Sequence, residues 1–169
     1  MSWKRYTIEK GHHVSEPVKL GLHAGGFPHL WRMSVIFGRG CAYDFGNHPD
    51  RYDINKLWGY SQWNHMANSF RVGWRWNRES SMVELLPFVT SRGYDNRFSA
   101  PVICEVPLEQ AIETEILVGR GSCQFRCDGK SADVALDRKL SPIRFGYFLR
   151  PYFGGNRVAP HDIEIHLRK

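Results

Sequence analysis

Asn68-Ser69-Phe70-Arg71-Val72-Gly73-Trp74-Arg75-Trp76 reads with a strict period of two. Phe70, Val72, Trp74 and Trp76 fall on one side, and Ser69, Arg71, Gly73 and Arg75 on the other. Successive side chains of a strand point to opposite faces, so this stretch is a β-strand with one face in a core. Its polar face sets two guanidinium groups either side of a residue with no side chain. The pattern fits an open groove at Gly73, flanked by Arg71 and Arg75 and suited to a flat polar ligand; it also fits a glycine packed against a neighbour, with the arginines paired to Glu84, Glu105 or Asp162.

The same alternation recurs outward in both directions. It marks strands at 3–10, 30–37, 54–60, 81–89, 101–106, 112–118, 122–127, 130–136, 143–149 and 162–168. Phe70, Val72, Trp74, Trp31, Val35, Phe145, Ile163 and Ile165 are the expected core. Asp128-Gly129 between two strands is a strong hairpin signal. Pro87 has no N–H to give a ladder and places its strand at an edge or a bulge. The only helical turn expected lies near Leu108–Ala111. Many short strands with regular turns predict an all-β fold, an antiparallel two-sheet β-sandwich of jelly-roll type with minimal helix. The loops 11–28, 38–53, 61–67, 90–100 and 151–161 are long, and long loops carry function or cover sheets.

A chain of 169 residues fits one domain over 1–169. The formal charge of +6 permits an acidic polysaccharide, a phosphate or an anionic surface as partner. No block of like charges forms a nucleic-acid arm, so nucleic acid is not the expected partner. No apolar run is long enough to span a bilayer. The start, Met1-Ser2-Trp3-Lys4-Arg5, carries no apolar h-region, so synthesis in the cytosol without a signal peptide is the expectation. Cys123 and Cys127 are four apart on one strand, roughly 13 Å, too far to bridge. With Cys41 and Cys104 they read as reduced, buried thiols.

Chemistry concentrates in a few segments. Over 58–68, Trp58, Tyr60 and Trp63 offer stacking platforms for sugar rings or bases, and Asn64, His65 and Asn68 directional hydrogen bonds beside them. Together with Arg71 and Arg75 they form the candidate ligand-binding set. In the loop 38–53, Asp44, Asn47, Asp50 and Asp53 have oxygens suited to Ca²⁺, although their spacing fits no EF-hand and also suits turn-capping. No other cofactor is expected. His161 beside Asp162 lacks a nucleophile at triad spacing. Glu113 and Glu115 share a strand face, but among Ile112, Ile116 and Val118 they read as solvent-facing, not as a glycosidase pair. The histidines His12, His13, His23 and His29 show no zinc spacing.

Ile54-Asn55-Lys56-Leu57-Trp58-Gly59, Asn68 to Arg75, and Pro151-Tyr152-Phe153-Gly154-Gly155-Asn156 running into Ala159-Pro160-His161-Asp162-Ile163 together resemble small β-sandwich proteins of the concanavalin-A-like jelly-roll kind. Members include polysaccharide lyases, glucanases, lectin-type modules and some phage proteins. The Glu-x-Asp-x-x-Glu signature of one glucanase family is absent, so the resemblance brings over no catalytic residue. The first expectation is a non-catalytic, lectin-like glycan-binding module. Its arginines favour anionic sugars through bidentate charge-assisted bonds. The alternatives are a structural assembly protein, virion-associated and forming a homo-oligomer through its loops, and a polysaccharide lyase or glycoside hydrolase using the same groove.

Overall fold

The computed structural model describes residues 2–17, 21–24, 28–61, 64–65, 68–91, 94–95, 100–119, 121–136 and 145–169. Fourteen strands are described: β1 (Lys4–Ile8), β2 (Ser15–Glu16), β3 (Leu22–Ala24), β4 (His29–Phe37), β5 (Asn55–Ser61), β6 (Asn68–Asn77), β7 (Met82–Ser91), β8 (Tyr94–Asp95), β9 (Cys104–Val106), β10 (Ile112–Val118), β11 (Ser122–Cys127), β12 (Lys130–Ala135), β13 (Phe145–Leu149) and β14 (Ile163–Arg168). All pairs are antiparallel. Sheet A has the order β12-β11-β10-β4-β14-β1-β2, and sheet B the order β3-β13-β5-β6-β7-β8, with β9 also on β7. The fold is the expected two-sheet sandwich. No described helix is long and apolar enough to cross a membrane.

The period-two pattern explains which faces meet. From sheet A, Trp31, Val35, Phe37, Ile116, Ile163 and Ile165 point inward. Sheet B answers with Trp58, Tyr60, Phe70, Val72, Trp74 and Leu85, all in one buried cluster. Seven of the eight expected core residues are at most 6% exposed. The eighth, Phe145, has its side chain outside the described set. Phe37 lies against Trp74 with ring centroids 5.5 Å apart, and Trp31 stacks on Tyr60 at 4.3 Å. Trp58 Nε1 donates to Thr114 Oγ1 at 2.9 Å, and that hydroxyl donates to Met33 O at 2.9 Å. A polar chain thus crosses the core from sheet to sheet with its polar atoms satisfied.

Turns follow their chemistry. Asp128 and Gly129 both take positive φ, 47° and 75°, as a type I′ hairpin between β11 and β12 requires. Pro87 falls in the gap on β7 between the residues paired with β9 and those paired with β8. The helical turn expected near Leu108–Ala111 does not form. Glu109 takes φ 62° there, a left-handed conformation that ends a helical run. The helical turns that do form are short 3₁₀ pieces at Arg39–Cys41 and Pro49–Tyr52. All four cysteines are free and buried.

One polar knot ties two long loops to sheet B. Asn55, buried at the start of β5, donates through Nδ2 to Tyr43 Oη at 2.9 Å and accepts from Gly154 N at 2.7 Å. Lys56 and Tyr152 exchange backbone bonds at 2.9 and 2.8 Å. Loops 38–53 and 150–162 are thereby held against the same strand.

Two stability outcomes follow. Trp74→Ala is expected to cost about 3–5 kcal/mol, as for truncation of a buried aromatic, read from urea midpoints. Asn55→Ala removes both side-chain bonds of the knot and is expected to cost about 1–3 kcal/mol, leaving the Gly154 amide unpaired in the interior. Equal midpoints for Asn55→Ala and the unsubstituted protein would contradict the role given to the knot.

Candidate functional site

The outer face of sheet B is built by the residues that alternate with the core set. Register places Arg71 beside Gly59 on β5 and Phe88 on β7, Ser69 beside Ser61 and Thr90, and Arg75 beside Glu84. Tyr147 on β13 pairs with Ser61. Its neighbour Phe148 faces the other way, edge-on to Tyr60 in the core. Tyr147 therefore stands on the outer face.

This face does not hold the groove expected at Gly73. A Cβ built at Gly73 would lie 2.5 Å from Ile54 Cγ2 and within 3.4 Å of the Leu86 and Asn55 carbonyl oxygens. Ile54, Leu86 and Phe88 form a small apolar cluster there. Glycine marks a close approach at this position, and the space between the two arginines is filled.

The arginines accordingly serve different surroundings. Arg75 Nε is 2.5 Å from Glu84 Oε2, while Asn77 Nδ2 donates to Glu84 Oε1 at 2.9 Å. Arg75 lines a cleft of about 260 Å³ with Tyr52, Trp76 and Glu84. Arg71 is 7% exposed. It donates through Nε to Ser69 Oγ at 3.2 Å and through Nη2 to the His65 carbonyl at 3.3 Å, and its guanidinium lies 5.7 Å from the Phe88 centroid. Ser69 and Thr90 share a hydroxyl bond of 2.7 Å, and Thr90 Oγ1 also donates to the His65 carbonyl at 3.0 Å. The His65 main chain is thus pinned over Arg71.

That pinning aims the imidazole. His65 Nδ1 is 3.1 Å from Tyr147 Oη, across 82 residues of sequence. Burial and the nearby Arg71 cation both lower the His65 pKa from its usual 6.5. The imidazole is therefore held neutral at physiological pH, beside a phenol and a guanidinium. A neutral base, a hydroxyl it can exchange a proton with, and a fixed cation stand on one face of one sheet.

The other sequence candidates sort differently. Trp58 is fully buried and bonded to Thr114, and Tyr60 is 3% exposed against Trp31. Both belong to the core, so neither stands on the outer face with Arg71, although Tyr60 lines a separate cleft with Tyr6, Met33 and Phe148. Trp63 lies outside the described residues. Asn64 is exposed and its carbonyl accepts from Asn68 N at 3.0 Å, while the Asn68 carbonyl accepts from Ser61 Oγ at 2.7 Å. Both carbonyls are thus used in bonds close to His65. Tyr147, Thr90, Phe88 and Lys56 lie outside the candidate ligand-binding set. Nothing local in β13 distinguishes Tyr147 from Phe148, since both are aromatic and adjacent.

Two of the Ca²⁺ candidates, Asp44 and Asp50, have charged partners. Asp44 accepts from Gly46 N at 2.7 Å and pairs with Arg78 at 2.9 Å. Asp50 faces His48 at 3.3 Å and Arg157 at 3.4 Å. Asp53 packs against Gly155, whose lack of a Cβ leaves room for its carboxylate. Among the described residues, no three His, Cys, Asp or Glu side chains gather in a metal-holding group. His161 and Asp162 do not pair: His161 Nε2 contacts Gly40 O at 2.8 Å, and Asp162 Oδ1 accepts from Lys10 N at 2.8 Å. Glu115 is held by Arg32 at 2.6 Å on the outer face of sheet A.

No family model and no curated protein sequence matches this chain. Solved structures do. The alginate lyase AlyC3 superposes with a TM-score of 0.61 at 15% identity, covering 98% of this chain and 72% of that one. The alginate lyase A1-II′, a member of polysaccharide lyase family 7, gives 0.54 at 12% identity over 83% of this chain and 59% of its own. An alginate lyase from Pseudomonas aeruginosa gives 0.52 at 13% over 82% and 63%. The likeness is one of fold. The chain spans about three fifths of the length of the latter two proteins.

Gly73→Val tests the filled face. Overpacking against Ile54 is expected to destabilise by roughly 1–3 kcal/mol in urea unfolding. A neutral effect would mean that the face between Arg71 and Arg75 is open after all.

Proposed function

We propose that the protein binds a uronate-bearing polysaccharide on the outer face of sheet B and cleaves it by β-elimination. The observation that carries the reading is the His65–Tyr147 contact beside the buried cation Arg71. Support also comes from the fold, which is shared with alginate lyases.

The reaction asks for three things that this cluster has. A uronate carboxylate must be neutralised before its C5 proton becomes acidic enough to leave. Arg71 supplies a planar, permanently charged fork for that carboxylate. A base must take the C5 proton, and neutral His65 is available for it. The C4–O4 bond then breaks, the C4=C5 double bond forms, and the departing oxygen needs a proton. Tyr147 Oη donates it and recovers one from His65 through their hydrogen bond, so protons and electrons balance. No metal or redox partner enters this scheme.

Cleavage is read as growth of ultraviolet absorbance from the conjugated double bond, with alginate and polygalacturonate as substrates. Tyr147→Phe is expected to lower the rate by about 100-fold or more, while oligouronate binding stays within about threefold. Binding by the unsubstituted protein with no product would leave the non-catalytic glycan-binding module. Absence of both would remove the reading and leave the assembly alternative, which light scattering tests through a closed oligomer.

The pH profile carries a sign. Because the His65 pKa lies below 6.5, the free base persists as pH falls through that value, and the rate declines only further down. His65→Asn is expected to lower the rate and abolish this acid limb. An acid limb unchanged in the variant would remove His65 from the proton path.

A further inference from the structure

Lys56 lies on the same outer face as Arg71 but belongs to a different strand. Its Nζ sits 4.7 Å from the Phe88 centroid and 5.7 Å from that of Tyr152. Phe88 is also the ring over which the Arg71 guanidinium lies, at 5.7 Å. One aromatic ring therefore carries two cations, one from β5 and one from β6. Tyr152 is in turn stacked on His13 with centroids 5.4 Å apart. The result is a ribbon of alternating rings and cations that crosses the strands: Tyr152, Lys56, Phe88, Arg71.

Lys56 is built into this place. Paired backbone bonds with Tyr152 fix its main chain. A Cβ at Gly154 would lie 2.3 Å from the Ile54 carbonyl oxygen and 2.8 Å from Lys56 Nζ, so a glycine there admits both the close main-chain approach and the ammonium. The β-bulge between Lys56 and Trp58 is what permits both. It turns Trp58 into the core while leaving Lys56 outside.

We infer that Lys56 holds a second carboxylate of the same acidic chain whose first carboxylate is bound by Arg71. The site then recognises a run of uronates, not a single acidic sugar. This inference rests on the acidic-polysaccharide reading of the Arg71 cluster. An ammonium accepts a carboxylate without demanding one geometry, which suits a position away from the reacting sugar. The half-buried Tyr152 ring beside Lys56 gives a sugar face an apolar floor.

The test is calorimetric titration of monouronate and tetrauronate into the unsubstituted protein, Lys56→Gln and Lys56→Arg, with melting temperatures as a fold control. Lys56→Gln is expected to weaken tetrauronate binding by about tenfold, in keeping with the loss of one charge-assisted bond. Its monouronate affinity is expected to stay within about twofold, and Lys56→Arg to restore the tetrauronate affinity to within about threefold. Unchanged tetrauronate binding in a folded Lys56→Gln would overturn the inference while leaving the Arg71 reading intact. Equal weakening for both ligands would overturn it too, since Lys56 would then serve the first sugar. If the unsubstituted protein bound neither ligand, the Arg71 reading and this inference would fall together.

Discussion

The site depends on burying a guanidinium on the outside of a sheet. Arg71 stands where alternation puts solvent-facing groups, yet it is almost wholly covered. A buried cation is costly unless its donors are satisfied. Ser69 and the His65 carbonyl supply acceptors, and Phe88 supplies a ring face. The same carbonyl accepts from Thr90, so satisfying Arg71 also fixes the His65 main chain where its imidazole meets Tyr147. The cation, the neutral imidazole and the phenol are thus one arrangement, positioned by hydrogen bonds to the main chain on a rigid sheet.

The sandwich below makes that rigidity possible. Aromatic side chains from both sheets fill the interior, and Trp58 reaches across to Thr114 to join them. Asn55 then locks two loops onto β5 just before the bulge that separates Lys56 from Trp58. Core and outer face meet in this one strand. Three consecutive residues, Lys56, Leu57 and Trp58, serve the outer face, the core and the link between sheets.

Much of the fold was legible because its signal is local. Phe70, Val72 and Trp74 alternate with polar neighbours, and Asp128-Gly129 carries its own turn chemistry. The candidate site overlaps the expected set in part: His65 and Arg71 belong to both, through their hydrogen-bonding and cationic chemistry. Trp58 and Tyr60 were read as exposed platforms because aromatics beside amides look like a sugar site. The bulge, which the residues themselves do not announce, shifts the phase of β5 so that Ile54 and Lys56 face outward while Trp58 and Tyr60 face the core. The same shift lets Ile54 cap Gly73 and close the expected groove. Tyr147 was missed because its partner lies 82 residues away, and only strand pairing brings them together.

The central claim is that an acidic oligosaccharide docks across strands on the outer face of sheet B. Mapping amide resonance shifts during titration with a tetrauronate tests it most directly. The account predicts that the largest shifts cluster at Lys56, His65, Ser69 to Arg71, Phe88 to Thr90 and Tyr147. Shifts confined to the outer face of sheet A, around Arg32, Glu115 and Arg126, or to the cleft beside Arg75 and Tyr52, would contradict it.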